Sequence, residues 1–254
     1  MIDTHCHLTF DGLLRDIEQV IDRSRRAGVD GWITVGTDIA ESRKAVELAG
    51  RFDSLYAAVA MHPHYARAVD EHTVRRLKRL GQSPKVVAIG ETGLDYHYDN
   101  SPRREQASAF ARHLELAAEL NLPVIVHCRE AFGDTLEILD GSGFDFKRAV
   151  FHCFGGSAEQ AAILVAGGCY VSFTGVITFK NAERARAAAA VPLDRLMLET
   201  DCPYMSPEPV RRQKVNEPAL LIHTADFLAS LKGVTLEELA AATTANAERF
   251  FRLP

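Results

Sequence analysis

Eight short hydrophobic runs alternate with amphipathic segments along the whole chain, and this alternation restricts the possible folds more than any other feature. The hydrophobic runs predict strands, and the helical spacing between them predicts a helix after each strand. The predicted strands lie near Met1–His7, Gly31–Gly36, Leu55–Met61, Val86–Glu91, Val124–His127, Val150–Phe154, Tyr170–Thr174 and Leu196–Glu199. Eight strands, each followed by a helix, in a chain of 254 residues are typical of a (β/α)8 barrel.

A doubly wound open sheet also alternates strands and helices, but the positions of the ionisable residues argue against it. Five of the predicted strands deliver His, Glu or Asp near their carboxyl ends, namely His5 and His7, Glu91, His127, His152, and Glu199 with Asp201. An open sheet gathers its ligands at one switch point between neighbouring strands, whereas a barrel brings the ends of strands one, four, five, six and eight to one mouth. The sequence therefore predicts an α/β fold, a (β/α)8 TIM barrel, as a single domain of residues 1–254.

The residue types at these strand ends indicate a metal site. His5 and His7 are alternate residues of one strand, so their side chains share a face. Zinc accepts imidazole nitrogen and carboxylate oxygen, while magnesium and manganese prefer carboxylates and water. Four histidines with Glu91 and Asp201 exceed what one tetrahedral ion uses, so we expect two divalent ions (Mg, Mn or Zn) that share a bridging carboxylate. A single histidine at a strand end is more often structural, but five such strand ends argue against that explanation.

A thiolate metal site is the alternative that the cysteines raise. Such a site would require pairs with Cys-x-x-Cys spacing, and the five cysteines of this chain form no such pair. We therefore expect imidazole and carboxylate ligands.

Composition limits how a charged substrate could be held. The net charge is −5 and no long run of one sign occurs, so there is no general basic surface to attract polyanions, and a nucleic acid would have to be held locally. The first residues lack the basic and apolar pattern of a secretory signal, and no stretch approaches the ~20 apolar residues of a membrane span. We therefore expect a cytoplasmic protein without a membrane segment, and no obligate protein partner is evident.

Five motifs occur at the strand ends, in a fixed order. They are Asp3-Thr4-His5-Cys6-His7-Leu8, Gly90-Glu91-Thr92-Gly93-Leu94-Asp95-Tyr96, Val126-His127-Cys128-Arg129, Phe151-His152-Cys153-Phe154 and Leu198-Glu199-Thr200-Asp201-Cys202-Pro203-Tyr204. Together they resemble the TatD family of metal-dependent hydrolases and deoxyribonucleases, and the likeness covers essentially the whole chain. The resemblance implies an amidohydrolase-like barrel with two divalent ions and, in several members, cleavage of DNA with release of nucleotides from the 3′ end.

The resemblance also implies a role for each metal ligand: the first ion is held by His5, His7 and Asp201, the second by His127 and His152, and Glu91 bridges both. Glu91 would then replace the carbamylated lysine that bridges the ions in other amidohydrolase-like barrels. One departure from the family is the segment of residues 209–214, which lacks the glycine of the usual Pro-x-Arg-Gly. The loss of that glycine bears on the loop over the site, and so on the shape of the substrate.

Two carboxylates are candidate catalytic residues. Asp201, placed at the metal, is predicted to accept or relay the proton of the attacking water, since a general base must lie within hydrogen-bond reach of the group it deprotonates. Glu199 lies on the same strand face two residues earlier. It is predicted to share the proton transfer or to hold a ligand imidazole in place, and a salt bridge with a neighbouring arginine is the alternative.

Three further residues are candidate contacts to substrate. His62 resembles a family residue near the substrate phosphate. Arg129 could bind a phosphate with its planar fork of donors, or could form a structural salt bridge. Arg211, with Arg212 and Lys214, forms a basic cluster that could position a backbone phosphate or could be a solvated loop face.

The sequence thus predicts a divalent-metal-dependent hydrolase, and specifically a DNase with 3′–5′ exonuclease (phosphodiesterase) activity that binds DNA at the barrel mouth. Because fold and metals do not determine which bond is cleaved, the same site could hydrolyse a small amide, lactone or ester. Convergent Arg and Lys donors would favour a phosphodiester, and an apolar pocket would favour a small ring. A non-catalytic metal-binding protein is a third possibility, which tight metal binding without turnover would support.

Overall fold

The structure is a computed structural model that describes residues 1–180 and 182–254. Eight strands form one sheet in the order β1 to β8. They are β1 Ile2–Cys6, β2 Gly31–Val35, β3 Leu55–Val59, β4 Val86–Asp95, β5 Val124–Arg129, β6 Ala149–Phe151, β7 Tyr170–Phe173 and β8 Leu196–Leu198. Every predicted strand is present.

Helices follow the strands, as predicted. They are α1 Asp11–Leu14, α2 Ile17–Arg26, α3 Ile39–Ala49, α4 Glu71–Gly81, α5 Arg103–Glu119, α6 Phe132–Gly141, α7 Ala158–Ala166, α8 Ala182–Ala190, α9 Leu221–Lys232 and α10 Leu236–Phe251. Short 3₁₀ helices lie at Pro63–Ala68, Phe146–Arg148, Gly175–Thr178, Leu193–Arg195 and Pro218–Leu220. Within the described residues no single helix is long and apolar enough to span a membrane; Pro218–Lys232 and Leu236–Phe251 pass that test only as a pair, with a bend of 107° between them.

The chain divides into two compact units, residues 1–34 with 153–254 and residues 35–152. In the first unit, β1 pairs in parallel with β2, and β7 pairs in parallel with β8. The hydroxyl of Thr4 in β1 donates to the carbonyl of Leu198 in β8 at 2.9 Å. The first and last strands of the sheet are therefore neighbours, as closure into a barrel requires. The (β/α)8 barrel predicted from the sequence is confirmed.

In the second unit, strand β4 is longer than predicted. The sequence predicted its end at Glu91, but the strand continues to Asp95, buried throughout and paired in parallel with β3 and β5. Gly93 allows this extension. It has φ 140°, and a Cβ at this position would lie 2.0 Å from the carbonyl oxygen of His127, so only glycine lets β4 run this close to β5.

His113 on α5 is a buried histidine that fixes the chain just before His62. Its Nε2 accepts the N–H of Met61 at 3.1 Å, and its Nδ1 donates to the carbonyl of Ala109 at 2.6 Å. Burial lowers the pKa of His113 to about 4, and the hydrogen bond to Ala109 offsets only part of that effect. The ring is therefore neutral at neutral pH.

Acidification should destabilise the protein through His113. The unfolded chain takes up the proton near pH 6.5 and the native ring only near pH 4, so stability is present above pH 6.5 and is lost as the pH falls to about 4. The loss corresponds to about 3 kcal/mol. Urea unfolding measures this effect. Between pH 7 and pH 4, the free energy of unfolding of wild type should fall by about 3 kcal/mol more than that of His113→Gln. Parallel curves would exclude this role of the ring.

Candidate metal centre

The first unit brings together His5, His7 and Asp201. The Nε2 atoms of the two histidines are 3.4 Å apart. The Oδ1 atom of Asp201 lies 3.7 Å from Nε2 of His5 and 3.3 Å from Nε2 of His7. One donor atom from each residue lies within 4.8 Å of the others, so the three side chains can share one ion.

Backbone hydrogen bonds hold this first cluster in place. The N–H of His7 donates to the carbonyl of Cys202 at 2.8 Å, and the N–H of Asp201 donates to the carbonyl of His5 at 2.9 Å. Asp201 has φ 52°, a left-handed conformation that Asp and Asn adopt more readily than most other residues. The position of its carboxylate is thus determined by the backbone on both sides of it.

Asp3 supports the same cluster, and the sequence analysis had given it no role. Its Oδ2 accepts the hydroxyl of Thr200 at 2.6 Å, and its Oδ1 accepts the N–H of Thr200 at 3.0 Å. Burial raises the pKa of Asp3 to about 7, and the hydrogen bonds from Thr200 and from the N–H of His5 limit that rise. Asp3 therefore ties the residue before Asp201 to β1. The sequence contained one clue to this role, because Asp3 is an acidic residue inside a strand predicted to be buried.

The second unit gathers three imidazoles around Glu91. Its Oε2 atom lies 2.9 Å from Nε2 of His152, 3.3 Å from Nδ1 of His127 and 3.7 Å from Nε2 of His62. The donor atoms of His62, Glu91 and His127 all lie within 4.8 Å of one another. The second unit therefore carries a second group of side chains whose types could hold a metal ion.

The hydrogen bonds of His62 distinguish it from the other rings of this second cluster. Burial holds the pKa of His62 well below its usual value, so the ring is neutral. Its Nδ1 accepts the N–H of His64 at 3.1 Å, so the remaining proton is on Nε2, which faces Glu91. A protonated nitrogen does not ligate a cation, but it can donate to a phosphate oxygen. This arrangement favours the substrate-binding role predicted for His62 over a role as a ligand.

Asp95 is the main residue of this cluster that the sequence analysis missed. Its Oδ2 lies 3.0 Å from Nε2 of His127 and 3.1 Å from Nε2 of His64. Burial would raise the pKa of Asp95, but hydrogen bonds, with that from His127 the largest, outweigh burial and lower it. Likewise, burial lowers the pKa of His127, but Asp95 and Glu91 raise it overall to about 9.

An ionised Asp95 determines which nitrogen of His127 can bind a cation. It favours a proton on Nε2, so a cation would displace the proton of Nδ1, the nitrogen that faces Glu91 and His152. The sequence did contain a clue to the role of Asp95. Residues 91, 93 and 95 lie on the same face if the strand continues beyond Glu91.

We expect Asp95→Asn to weaken metal binding by about 10- to 100-fold, as the loss of a carboxylate that orients a ligand histidine typically does. The reason is that asparagine no longer favours the His127 tautomer with its proton on Nε2. Calorimetric titration of the metal-stripped protein with zinc or manganese measures the effect. Asp140→Asn, an exposed change on α6, is the matched control. Equal affinities in the two variants would contradict this role of Asp95.

Glu199 is buried, and its described contacts hold the backbone beside a predicted ligand. Its Oε1 accepts the N–H of Cys153 at 2.5 Å, and its Oε2 accepts the hydroxyl of Ser172 at 2.7 Å. Cys153 directly follows His152 in the chain, so Glu199 fixes the peptide that carries this ring. These contacts support the predicted role of holding a ligand in place, and participation in proton transfer stays a prediction.

The two predicted arginines each stack on an aromatic ring. The Cζ atom of Arg129 lies 4.7 Å from the centroid of the Tyr98 ring, and that of Arg211 lies 3.9 Å from the centroid of Phe179. Arg211 also lies 3.8 Å from Glu208, at an exposed position. Across residues 1–180 and 182–254, no carboxylate is within ion-pair distance of Arg129. The salt bridge considered for Arg129 is therefore not formed.

The residues of both clusters suit a divalent cation. Imidazole nitrogens and carboxylate oxygens are the donors that zinc and other transition metals accept. Glu91 and Asp201 are at most 9% exposed, and buried carboxylates are normally paired or bound to a metal. Burial of both carboxylates among imidazoles therefore fits metal binding better than a chance cluster of surface charge.

Comparison with known proteins identifies the family. The family model described as TatD related DNase matches residues 2–252. The chain is 41% identical to the uncharacterized metal-dependent hydrolase YabD of Bacillus subtilis over 254 residues, which cover 100% of this chain and 99% of that protein. It is 39% identical to the 3′-5′ ssDNA/RNA exonuclease TatD of Erwinia tasmaniensis, with 100% of both chains covered.

Solved structures agree with the sequence comparisons. The crystal structure of the TatD homolog YJJV from Escherichia coli matches with a TM-score of 0.94 and 30% identity, covering 100% of this chain and 98% of that one. An uncharacterized amidohydrolase from Saccharomyces cerevisiae matches with a TM-score of 0.85 at 20% identity, covering 98% of this chain and 99% of that one; it shows the fold alone. The amidohydrolase-like barrel predicted from the motifs is confirmed. Given the family match over residues 2–252 and the two His and carboxylate clusters, the chain belongs to the TatD family and is a metal-dependent hydrolase.

Proposed function

We propose that this hydrolase is a 3′–5′ exonuclease that cleaves phosphodiester bonds of single-stranded DNA with a pair of divalent ions. The main support is the presence of two groups of buried or half-buried His and carboxylate donors at the strand ends. A relative that is 39% identical over the whole chain is named a 3′-5′ ssDNA/RNA exonuclease, which gives the substrate class.

The proposal joins the two clusters into one dinuclear site. His5, His7 and Asp201 would hold one ion, His127 and His152 the other, and Glu91 would bridge them. In a (β/α)8 barrel the carboxyl ends of all strands open onto one face, where barrel enzymes carry their active sites. This property of the fold supports a single site built from both clusters.

A pair of bound divalent ions supplies an activated water and stabilises charge on the attacking and leaving oxygens. The protein provides the proton acceptor. The Oδ1 atom of Asp201 faces Nε2 of His7 at 3.3 Å, and the carboxylate is largely buried. It is therefore placed to take the proton of a water held at this cluster. Asp3, through Thr200, keeps the carboxylate in that position.

The phosphate must be held by local donors because the protein carries a net charge of −5. The Nε2–H of His62 and the guanidinium of Arg129 are two such donors in the second unit. Arg129 presents five N–H groups in a planar fork that matches a phosphate. A small ester, amide or lactone substrate would not need these donors.

Hydrolysis of a 5′-labelled single-stranded DNA by metal-stripped protein tests this function. Magnesium, manganese and zinc are added back in separate reactions, because imidazole and carboxylate donors together suit all three ions. A ladder that shortens from the 3′ end only when metal is present is the expected result. If two ions bind and no DNA is cleaved with any of them, the exonuclease function is wrong, and p-nitrophenyl esters and lactones become the next substrates to assay. A cytoplasmic location stays a prediction.

A further inference from the structure

Tyr98 is an exposed aromatic residue at the edge of the second cluster. It follows β4, and it is 55% exposed although three side chains contact its ring. The ring of His64 meets it at 86° with centroids 5.4 Å apart, and the ring of His97 meets it at 87° with centroids 4.9 Å apart. The guanidinium of Arg129 lies over the ring. A large ring held this firmly while still open to solvent is suited to binding a flat ligand.

Arg129 keeps its hydrogen-bond donors available at this position. The neighbouring carboxylate, Glu130, pairs instead with Nδ1 of His97 at 2.7 Å. An exposed arginine that stacks on a ring, with no ion pair in the described part of the chain, retains donors that an anion can use. Stacking also restricts the side chain to one orientation, so less entropy is lost when an anion binds.

Asp95 connects this pair of residues to the metal cluster. Its Oδ1 accepts the N–H of Tyr98 at 2.9 Å and that of His97 at 3.1 Å. Its Oδ2 faces Nε2 of His127 at 3.0 Å. One buried carboxylate thus fixes both the backbone of Tyr98 and a ring of the metal cluster. A ligand held on Tyr98 would keep a constant position relative to a group reacting at the ions.

We propose that Tyr98 and Arg129 form a nucleotide subsite, in which the Tyr98 ring stacks on a nucleobase of a single strand and Arg129 binds the adjoining backbone phosphate. Proteins that bind single strands without sequence preference combine aromatic rings with cationic side chains in this way. The inference rests on the proposed function, since it deepens the exonuclease assignment. It predicts tolerance of all four bases, because each has a π-face, and a preference for unpaired ends, because the bases within a duplex are already stacked.

Abasic substrates test the stacking directly. A series of oligodeoxynucleotides, each lacking one base near the 3′ end, is compared with the intact strand. Wild-type protein should bind the strand that lacks the stacked base about 5- to 150-fold more weakly than the intact strand. Tyr98→Ala should remove that difference, while Tyr98→Phe, which keeps the ring, should retain it.

Tyr56→Ala is the matched control. Tyr56 also lies beneath a cation, with Nζ of Lys85 at 5.1 Å from its ring centroid, but it is at the amino end of β3, away from the strand ends that carry the clusters. It should retain the preference for intact strands. Arg129→Gln should weaken binding of intact and abasic strands equally and reduce the salt dependence of binding by about one phosphate contact.

Fluorescence anisotropy with labelled strands measures binding without turnover. The subsite and the exonuclease function are therefore tested independently of each other. Cleavage by wild type with an abasic effect that Tyr98→Ala leaves unchanged overturns the subsite and keeps the nuclease. A lack of cleavage with every metal, together with equal binding of intact and abasic strands, overturns both. A Tyr98-dependent preference for intact strands in binding supports the subsite, whether or not DNA is cleaved.

Discussion

Replacing Asp201 with asparagine should lower the rate of hydrolysis by about 10³-fold or more, since loss of a general base typically costs 10²–10⁴-fold. Under the proposed function, this variant would lose two roles of Asp201 at once. The amide is a poor ligand beside His5 and His7, and it cannot accept the proton of the attacking water. Rates with each metal at saturating substrate, for wild type and variant, measure the effect.

Asparagine is the right substitution because the backbone at this position is left-handed, with φ 52°. Asn and Asp tolerate that conformation, whereas an alanine would add strain. The N–H bond to the His5 carbonyl is unchanged, so thermal melting of the metal-free protein should match wild type. Asp226→Asn, an exposed change on α9, is the control and should keep full activity. Activity near wild type in Asp201→Asn would exclude Asp201 as the base.

The proposed metal ligands of both clusters could be predicted because each is encoded locally. A short apolar run determines where a strand lies, and the residue that ends the run is delivered to the carboxyl end of the sheet. His5 and His7 share a face through the two-residue period of a strand. The positions of Glu91 and Asp201 were predicted in the same way, from the ends of apolar runs. In the structure each carboxylate lies next to imidazoles.

The supporting residues could not be predicted because their roles depend on contacts between distant parts of the chain. Asp95 was missed because Thr92-Gly93 resembles the end of a strand, and only the close approach of β5 explains why the strand continues there. Glu199 lies where the sequence placed it, but its bond to the N–H of Cys153 depends on how distant segments pack. Likewise, the proton on Nε2 of His62 follows from the hydrogen bond that the N–H of His64 donates to Nδ1. The spacing of residues in the sequence does not predict that bond.

Glu91→Gln should lower metal affinity by more than about 100-fold, since even a carboxylate outside the ligand set typically contributes 10- to 100-fold. Glu91 is the common neighbour of His152, His127 and His62, with its Oε2 within 3.7 Å of a nitrogen in each ring. Glutamine has the same shape, but it lacks the negative charge that offsets a divalent cation. Hydrolysis should therefore be lost together with the metal.

Metal content separates a bridging role of Glu91 from a role at one ion. Wild type should retain two ions per chain after dialysis, Asp201→Asn should lose mainly one, and Glu91→Gln should retain fewer than one. Glu137→Gln, exposed on α6, should match wild type. Two retained ions in Glu91→Gln would exclude the bridge. A loss of one ion equal to that in Asp201→Asn would show that Glu91 serves only one of the two clusters, because a carboxylate shared by both ions cannot be removed without weakening both.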